Sequence, residues 1–445
     1  MVYAPMKTAH DPASTAMSTS KPAPKPAPIP TPTSTSAAAP PPLRLLRFPD
    51  FRRFWMADTV SQAGTAVTVL ALPLVAIGPL HASPLQTGLL VMCEYLGFLL
   101  VGLPAGAWVD RMRRRRVLIA GDLGRAALLA TLPISACLDA LTLTQLYAVG
   151  FGLSVCTVFF DVAHQSHLPH LVDEDRLVGA NVALESSRTI TAAAGPGAAG
   201  ALVAAVTAPV ALAVDAVSYL VSALFLTRIR RADPRPEERP PGARLRDEIA
   251  EGLRFVFRNR LLRALTLTAA ISNLCGTVGT SMMLVLLAGD LGLSPLLCGL
   301  VFTAEAAGGF LGSLLTTRIA DRLGKQRAMC ASVLVSGVLW LAALPFFQAD
   351  WRYAVACVLQ GLGWTAFMTF KIESVALRQQ MTPGPLLGRV TASVRFVVWG
   401  CMPLGALAGG VLGQYAGART TLWTGACAEL LAVLPLLLAS RRRAA

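Results

Sequence analysis

Twelve long apolar runs, parted by short polar breaks, make up most of the chain. Their approximate limits are 54–79, 85–108, 117–137, 143–165, 179–206, 208–228, 262–288, 294–317, 328–348, 352–373, 388–412 and 418–439. Each is close to the ~20 residues a helix needs to cross a bilayer core, so the pattern predicts twelve transmembrane helices. Two polar breaks have helical structure of their own. Residues 43–54 mix Arg44, Arg47, Arg52 and Arg53 with Leu45, Leu46, Phe48, Phe51 and Phe54, which predicts an interfacial lead-in to the first span. In the longest break, Leu245, Ile249, Leu253, Val256 and Phe257 recur at helical spacing among Arg and Glu. That predicts an amphipathic helix on the inner membrane face or against the bundle. Small residues fill parts of spans 5 and 11, as at 195–200 and 405–410, and allow close helix approach. Pro73, Pro104, Pro196, Pro345 and Pro403 are expected to bend or loosen their helices.

The pattern occurs twice. Residues 83–116 shifted by 211 positions fall on residues 294–327, which aligns Ser83-Pro84-Leu85 with Ser294-Pro295-Leu296. In the same register Glu94 matches Glu305, Gly97 matches Gly308, Asp110-Arg111 match Asp321-Arg322 and Arg116 matches Arg327. A repeat of this kind fixes architecture: two similar halves, residues 43–228 and 262–440, joined by a linker over 229–261. Residues 1–42, rich in Pro, Ala, Ser and Thr, read as a disordered tail, and residues 441–445 as a short basic one.

Composition agrees. The chain is 54% hydrophobic and 14% charged, against about 25% charge in a soluble domain, which excludes the soluble class. The net charge of +14 could suggest nucleic acid, but its placement gives a different answer. Odd-numbered loops hold only Arg352 and Arg419, near their ends. Even-numbered loops hold Arg111 with Arg113 to Arg116, Arg176, the segment from Arg228 to Arg263, Arg318, Arg322, Lys325, Arg327, Arg378 and Arg389. Positive loops stay in the cytoplasm, so both termini are expected there, in a multi-pass protein of the cell membrane. The nine cysteines are scattered singly and read as small buried hydrophobes. His164, His167 and His170 are spaced by three, but Pro169 interrupts them and no acid or Cys completes a metal site.

Twelve spans in two six-span halves, a long central loop and an Asp-Arg loop after spans 2 and 8 resemble the major facilitator superfamily. Asp321-Arg322-Leu323-Gly324-Lys325-Gln326-Arg327 matches that family's loop signature, while Arg113 departs from it in the first copy. Phe51 to Trp55, Phe160 to Ala163 with Leu168-Pro169, Pro209 to Leu212 leading to Asp215 to Tyr219, Glu248 to Phe255 and Pro383 to Val390 look like one branch of it. That branch contains siderophore (enterobactin-type) exporters, macrolide-efflux proteins and transmembrane secretion effectors. The resemblance implies an all-α fold of two pseudo-symmetric six-helix halves that rock about a central site. It also implies that the loop is a gating latch, with Gly106, Asp110, Arg111 and Arg116 in the first copy and Asp321, Arg322, Gly324 and Arg327 in the second. Read from the residues, span 2 is packed through Gly102 and Gly106. Asp110 can cap a helix N-terminus, and Arg111 and Arg116 can reach carboxylates on neighbouring spans.

Ionisable residues inside spans are costly and mark function by default. Glu94 and its mate Glu305 lie near mid-membrane. A carboxyl group held from water favours its neutral form, so each is a proton-coupling candidate, with Asp161 next in line. Asp122, Arg125, Asp161, Glu185 and Arg188 fall at similar depth and read as a paired network at the inner gate. Glu373, Lys371 and Arg395 repeat it loosely in the second half, with Lys371 expected to pair Glu373. Asp215 lies toward the outer side of span 6. Gln62, Thr65, Asn181, Asn273 and Gln360 are the polar candidates for a central cavity. Trp364, Phe367, Phe370, Phe396 and Trp399 are its aromatic candidates.

No phosphate-cradling Gly-Lys-Ser loop and no nucleophile–base constellation is found. The expectation is therefore no enzyme, no ATP and no cofactor. It is a monomeric secondary active transporter whose partners are a small-molecule substrate, protons and the lipid bilayer. The expected mode is proton-coupled export of an amphipathic drug, macrolide or siderophore. The alternatives are a small-metabolite importer, or a non-transporting membrane scaffold or sensor.

Overall fold

The computed structural model describes residues 45–109, 111–173, 176–231 and 245–441. Among these, twelve helices are long and apolar enough to cross a membrane. Spans 1 to 6 are Pro49–Ile77, Pro84–Gly106, Arg114–Cys137, Leu143–Leu171, Leu177–Val206 and Ala208–Thr227. Spans 7 to 12 are Arg260–Asp290, Pro295–Leu323, Lys325–Phe346, Arg352–Met381, Leu386–Ala416 and Ala418–Ala439. No strand occurs among the described residues, as expected where backbone groups must be satisfied within each segment. The even-numbered loops share one face of the bundle, called here the basic face; the odd-numbered loops share the opposite face.

Three local expectations are sharpened or changed. Residues 43 and 44 of the lead-in lie outside the described residues, and the rest is not separate from the first span. The lead-in helix already belongs to span 1 from Pro49, and Leu45, Phe51 and Phe54 are each 1% exposed inside the first half's core. Within the helix, the spacing of Phe51 and Phe54 puts them on one face toward Leu118, Phe160 and Leu184. The linker helix, Leu245–Arg258, docks on the bundle through Val256, which packs with Val390 and Val394 of span 11. A Cβ on its Gly252 would stand 2.7 Å from the Arg389 carbonyl oxygen, so only glycine allows this approach. Of the five prolines, Pro403 marks a real break. Span 11 is two helices, Gly384–Gly400 and Met402–Ala416.

The halves meet mostly at the opposite face, through small residues. A Cβ built on Gly88 would lie 2.4 Å from the Gly410 Cα, and one on Gly299 would lie 2.3 Å from the Pro196 carbonyl oxygen. Spans 2 and 11, and spans 5 and 8, therefore touch backbone to backbone there. At the basic face, polar side chains on spans 5 and 10, such as Glu185, Ser186 and Lys371, are exposed. Polar groups placed there argue for water rather than lipid, so the cleft between the halves opens toward the basic face.

Candidate functional site

The first half carries a buried polar seam where spans 1 and 6 touch. Span 1 contributes Asp58, Ser61, Thr65 and Thr68, at spacings that keep one helix face. Span 6 contributes Asp215, Ser218, Tyr219 and Ser222. Gly64 makes the approach possible: a Cβ there would stand 2.0 Å from Ser218 Oγ and 2.1 Å from Asp215 Oδ1. Asp215 is fully buried and accepts from the Thr68 hydroxyl and, at 2.8 Å, from Ser218 Oγ. Thr65 shares a 2.8 Å hydrogen bond with the Tyr219 hydroxyl and donates to the Ser61 carbonyl oxygen. It is thereby tied inside the seam rather than free to line a cavity.

One turn toward the basic face, Asp122 and Arg125 of span 3 form a buried ion pair, and Ser222 Oγ donates to Asp122 Oδ2 at 2.6 Å. The guanidinium of Arg125 lies between the Phe160 and Tyr219 rings, 4.2 Å from each centroid, a cation–π sandwich in a dry site. At the basic-face end, Asp58 Oδ1 lies 3.1 Å from His164 Nε2 of span 4. The imidazole stacks on Phe54 with centroids 4.6 Å apart.

Asp161, one turn before His164, faces the other half. Its Oδ2 lies 3.5 Å from Arg395 Nη2 of span 11. Among the described residues this is the one ion pair between the two six-span halves. Arg395 also stands over the Trp399 ring, which packs against Phe98 of span 2 at 4.8 Å. Glu94 lies against span 4, with its Cγ 3.5 Å from where a Cβ on Gly150 would be. It has no hydrogen-bond or ionic partner among the described residues. Its mate Glu305 accepts from Gln360 Nε2 at 2.9 Å, with Trp364 alongside.

Other sequence candidates are placed differently from their expectation. Glu185 is exposed and is in no ion pair among the described residues, while Arg188 meets Gln62. With its amide oxygen turned that way, Gln62 accepts from Arg188 Nη2 at 3.2 Å and Nε at 3.1 Å. The inner-gate set is thus not one network: Asp122 pairs Arg125, Asp161 meets Arg395, Arg188 meets Gln62 and Glu185 stands exposed. Lys371 does not pair Glu373. It is exposed while Glu373 is buried, because positions two apart on a helix do not face each other. Asn273 donates to the Val398 carbonyl oxygen at 3.1 Å, and exposed Asn181 donates to the Leu177 carbonyl oxygen in its own helix at 2.8 Å. Phe370 is core.

In the latch loops, Asp110 lies outside the described residues. A Cβ on Gly102 or Gly106 would meet nothing within 4 Å, so span 2 is not packed through them in this state. Arg111, Arg116, Asp321, Arg322 and Arg327 are exposed and reach no carboxylate or cation among the described residues. Arg115 instead donates from Nε to the Leu226 carbonyl oxygen at 2.9 Å, at the end of span 6. Gly324, at φ +78°, makes the turn between spans 8 and 9.

Two acids were not sequence candidates. Asp58 is 3% exposed and Glu429 of span 12 is 6% exposed. Glu429 accepts from Ser272 Oγ of span 7, while its Oε2 is buried with no hydrogen-bond partner. The available signal was simple: each is the lone acid in its apolar run. No group of three metal-ligating side chains occurs among the described residues.

Residues 37–444 match the model of a family described as transmembrane secretion effectors. The chain is 27% identical over 377 residues to the multidrug efflux pump Tap of Mycolicibacterium fortuitum, covering 82% of this chain and 89% of that one. It is 23% identical over 354 residues to macrolide efflux protein A of Streptococcus pyogenes, covering 78% and 86%. Among solved structures, a bacterial homologue of the iron transporter ferroportin in its inward-facing state superposes with a TM-score of 0.72. That match is at 17% identity, over 89% of this chain and 99% of that one.

Proposed function

The chain belongs to the transmembrane secretion effector family of major facilitator transporters, and from that premise we propose that it exports an amphipathic small molecule in exchange for protons. The observation that carries this reading is the placement of Glu94 and Glu305. They occupy matched positions in the two halves, inside spans, and neither has a cation partner among the described residues. A carboxyl group without a counter-charge in hydrocarbon is costly as an anion, so its charge must follow the access of water. Glu94 is the better candidate because its oxygens have no protein donor, whereas Gln360 already serves Glu305.

In this cycle the halves rock about the central cleft. The glycine contacts at the opposite face part while the basic face closes, and the Asp-Arg loops then find carboxylate and helix-end partners. Glu94 releases its proton when the basic face is open, and substrate competes for the protonated state. Arginine-rich loops on the basic face support a cytoplasmic position for that face and both termini in the plasma membrane. The multidrug and macrolide pumps among its relatives support a drug-like or natural-product substrate, siderophores included.

The test starts with accumulation of ethidium and erythromycin in cells lacking their own exporters, with and without an uncoupler. The protein is then reconstituted in proteoliposomes under an imposed pH gradient. Glu94→Gln fixes the neutral form. It is expected to keep downhill exchange within about twofold and to lose uphill export by at least tenfold, a difference of about 1.4 kcal/mol or more in driving force. Full gradient-driven accumulation by this variant would place the proton elsewhere.

A further inference from the structure

The aspartates within the spans of the first half differ in what balances their charge. Asp122 has Arg125, and Asp161 has Arg395. A guanidinium stays charged at any pH a cell meets, so these pairs are fixed. Asp215 accepts two hydroxyl groups, which do not titrate there either. Asp58 is the exception: among the described residues its one charged partner is an imidazole, His164. Histidine is the side chain whose charge ordinarily changes between pH 5 and pH 8.

The two members differ in access: the imidazole has an exposed edge, although its Nε2 is buried against Asp58. Asp58 is 3% exposed, whereas the His164 side chain is 14% exposed. The two meet at 3.1 Å without the alignment of a hydrogen bond, and the contact is an ion pair only when the imidazole carries a proton. Aromatic rings of Phe54 and Phe160 hold the imidazole on either side, at 4.6 Å and 5.9 Å. Other charged or titratable groups lie on the elements packed here: span 6 presents Asp215 and Tyr219, and span 1 the Asp50–Arg53 pair. Span 3 presents Asp122 and Arg125, already paired. Span 4 presents His167 and Asp161, and span 5 presents exposed Glu185 together with Arg188, which is held by Gln62. Span 2 faces span 4 farther along, through Glu94 at Gly150 and Gly97 at Ser154.

We propose that the Asp58–His164 pair is a second proton-binding site of the transport cycle, with His164 as the group that gains and loses the proton at the basic face. The proposal rests on the proton-driven reading above, but concerns a different site from Glu94. A proton on Nε2 makes an imidazolium–carboxylate pair that ties span 4 to span 1. Its loss leaves a buried carboxylate facing a neutral ring, which is costly, and loosens the same joint. Because Asp161 sits one turn away on span 4, a change at that joint moves the partner of Arg395. The proton at His164 therefore biases the one ion pair that joins the halves.

The test reads proton binding and helix separation, not transport. Full-length protein with ¹⁵N-labelled histidine is placed in lipid nanodiscs, and the His164 signal is identified by its absence in His164→Gln. It is expected to titrate between pH 5 and 8, and its response is expected to change in Asp58→Asn while the signals of the four other histidines hold. Spin labels at exposed Gln165 of span 4 and Ala392 of span 11, on a cysteine-free background, report the distance between the halves. A shift of that distance with pH is expected in the parent protein, and its loss in both His164→Gln and Asp58→Asn. A His164 signal that does not titrate overturns the site; so does an unchanged pH-dependent distance in His164→Gln. Loss of coupling at Glu94 would leave both readouts in place, so the two readings fail separately.

Discussion

Spans 1 and 6 in the first half occupy the place that spans 7 and 12 occupy in the second, yet the two seams hold their acids differently. In the first, Asp58 faces the His164 imidazole, Asp122 has Arg125 and Ser222, and Asp215 has Thr68 and Ser218. In the second, Glu429 has Ser272 alone. Around it the helices close on glycine. A Cβ on Gly425 would stand 2.9 Å from the Cys275 carbonyl oxygen, and one on Gly279 would stand 2.7 Å from the Trp340 ring. Buried Thr268 Oγ1 and Trp340 Nε1 have no hydrogen-bond partners there. Both seams close on glycine, but the first buries a carboxylate–guanidinium pair and the second an acid with no counter-charge among the described residues. Pseudo-symmetry of the backbone thus does not carry over to the electrostatics.

The largest effect should come from breaking the pairing in the first seam. Arg125→Met leaves Asp122 buried without its cation and removes the ring sandwich. Unpairing a buried ion costs about 3–5 kcal/mol, so purified protein should unfold far earlier on heating or in denaturant. The double variant Asp122→Asn with Arg125→Met removes both charges and should recover most of that loss, since a buried pair replaced as a unit is often neutral. A single variant costing less than about 1 kcal/mol, on the scale of an exposed ion pair, would mean the seam is not held by charge.

The architecture was legible because it follows from periodicity. Spans, halves and the basic face all come from runs of about 20 residues and from where arginine falls. Within the site, legibility tracked sequence distance. Asp122 and Arg125 are three apart on one helix and could be paired by spacing alone. Asp161 and Arg395 were both candidates, but their partnership spans 234 residues, and Ser272 with Glu429 spans 157. No spacing rule reaches that far. Lys371 and Glu373 failed for the opposite reason: proximity in sequence was taken for proximity on a helix face. Gly102 and Gly106 show a further limit, since a glycine that packs in one state of a rocking bundle can face open space in the other.

A middle-sized effect should follow at Asp215. Asp215→Asn keeps one acceptor but turns an NH2 toward a hydroxyl group that also donates, Thr68 or Ser218. A mismatched buried polar group costs about 1–3 kcal/mol. The denaturant midpoint should fall by less than in Arg125→Met and remain resolvable from the parent protein. An Asp215→Asn protein as stable as the parent would show that the two hydroxyl bonds are dispensable and would narrow the charged seam to its basic-face end.

The smallest effect should be at Glu429, where the two seams can be compared directly. Glu429→Gln removes no cation pair, because none is present among the described residues. The amide oxygen can still accept from Ser272, and its NH2 takes the place of an oxygen that has no partner. The side chain keeps its shape and its accepted bond, so the cost should stay below about 1 kcal/mol, the net worth of a single hydrogen bond. Ser272→Ala is the sharper companion. It strips Glu429 of its one donor and leaves both oxygens buried, which should cost more than Glu429→Gln at the same site, about 1–3 kcal/mol. Measured together by denaturant midpoint, the order should be Ser272→Ala worse than Glu429→Gln. If Glu429→Gln instead matches Asp215→Asn, Glu429 is an anion with a partner reached in another state of the cycle. The difference between the seams would then belong to this conformation, not to the two halves.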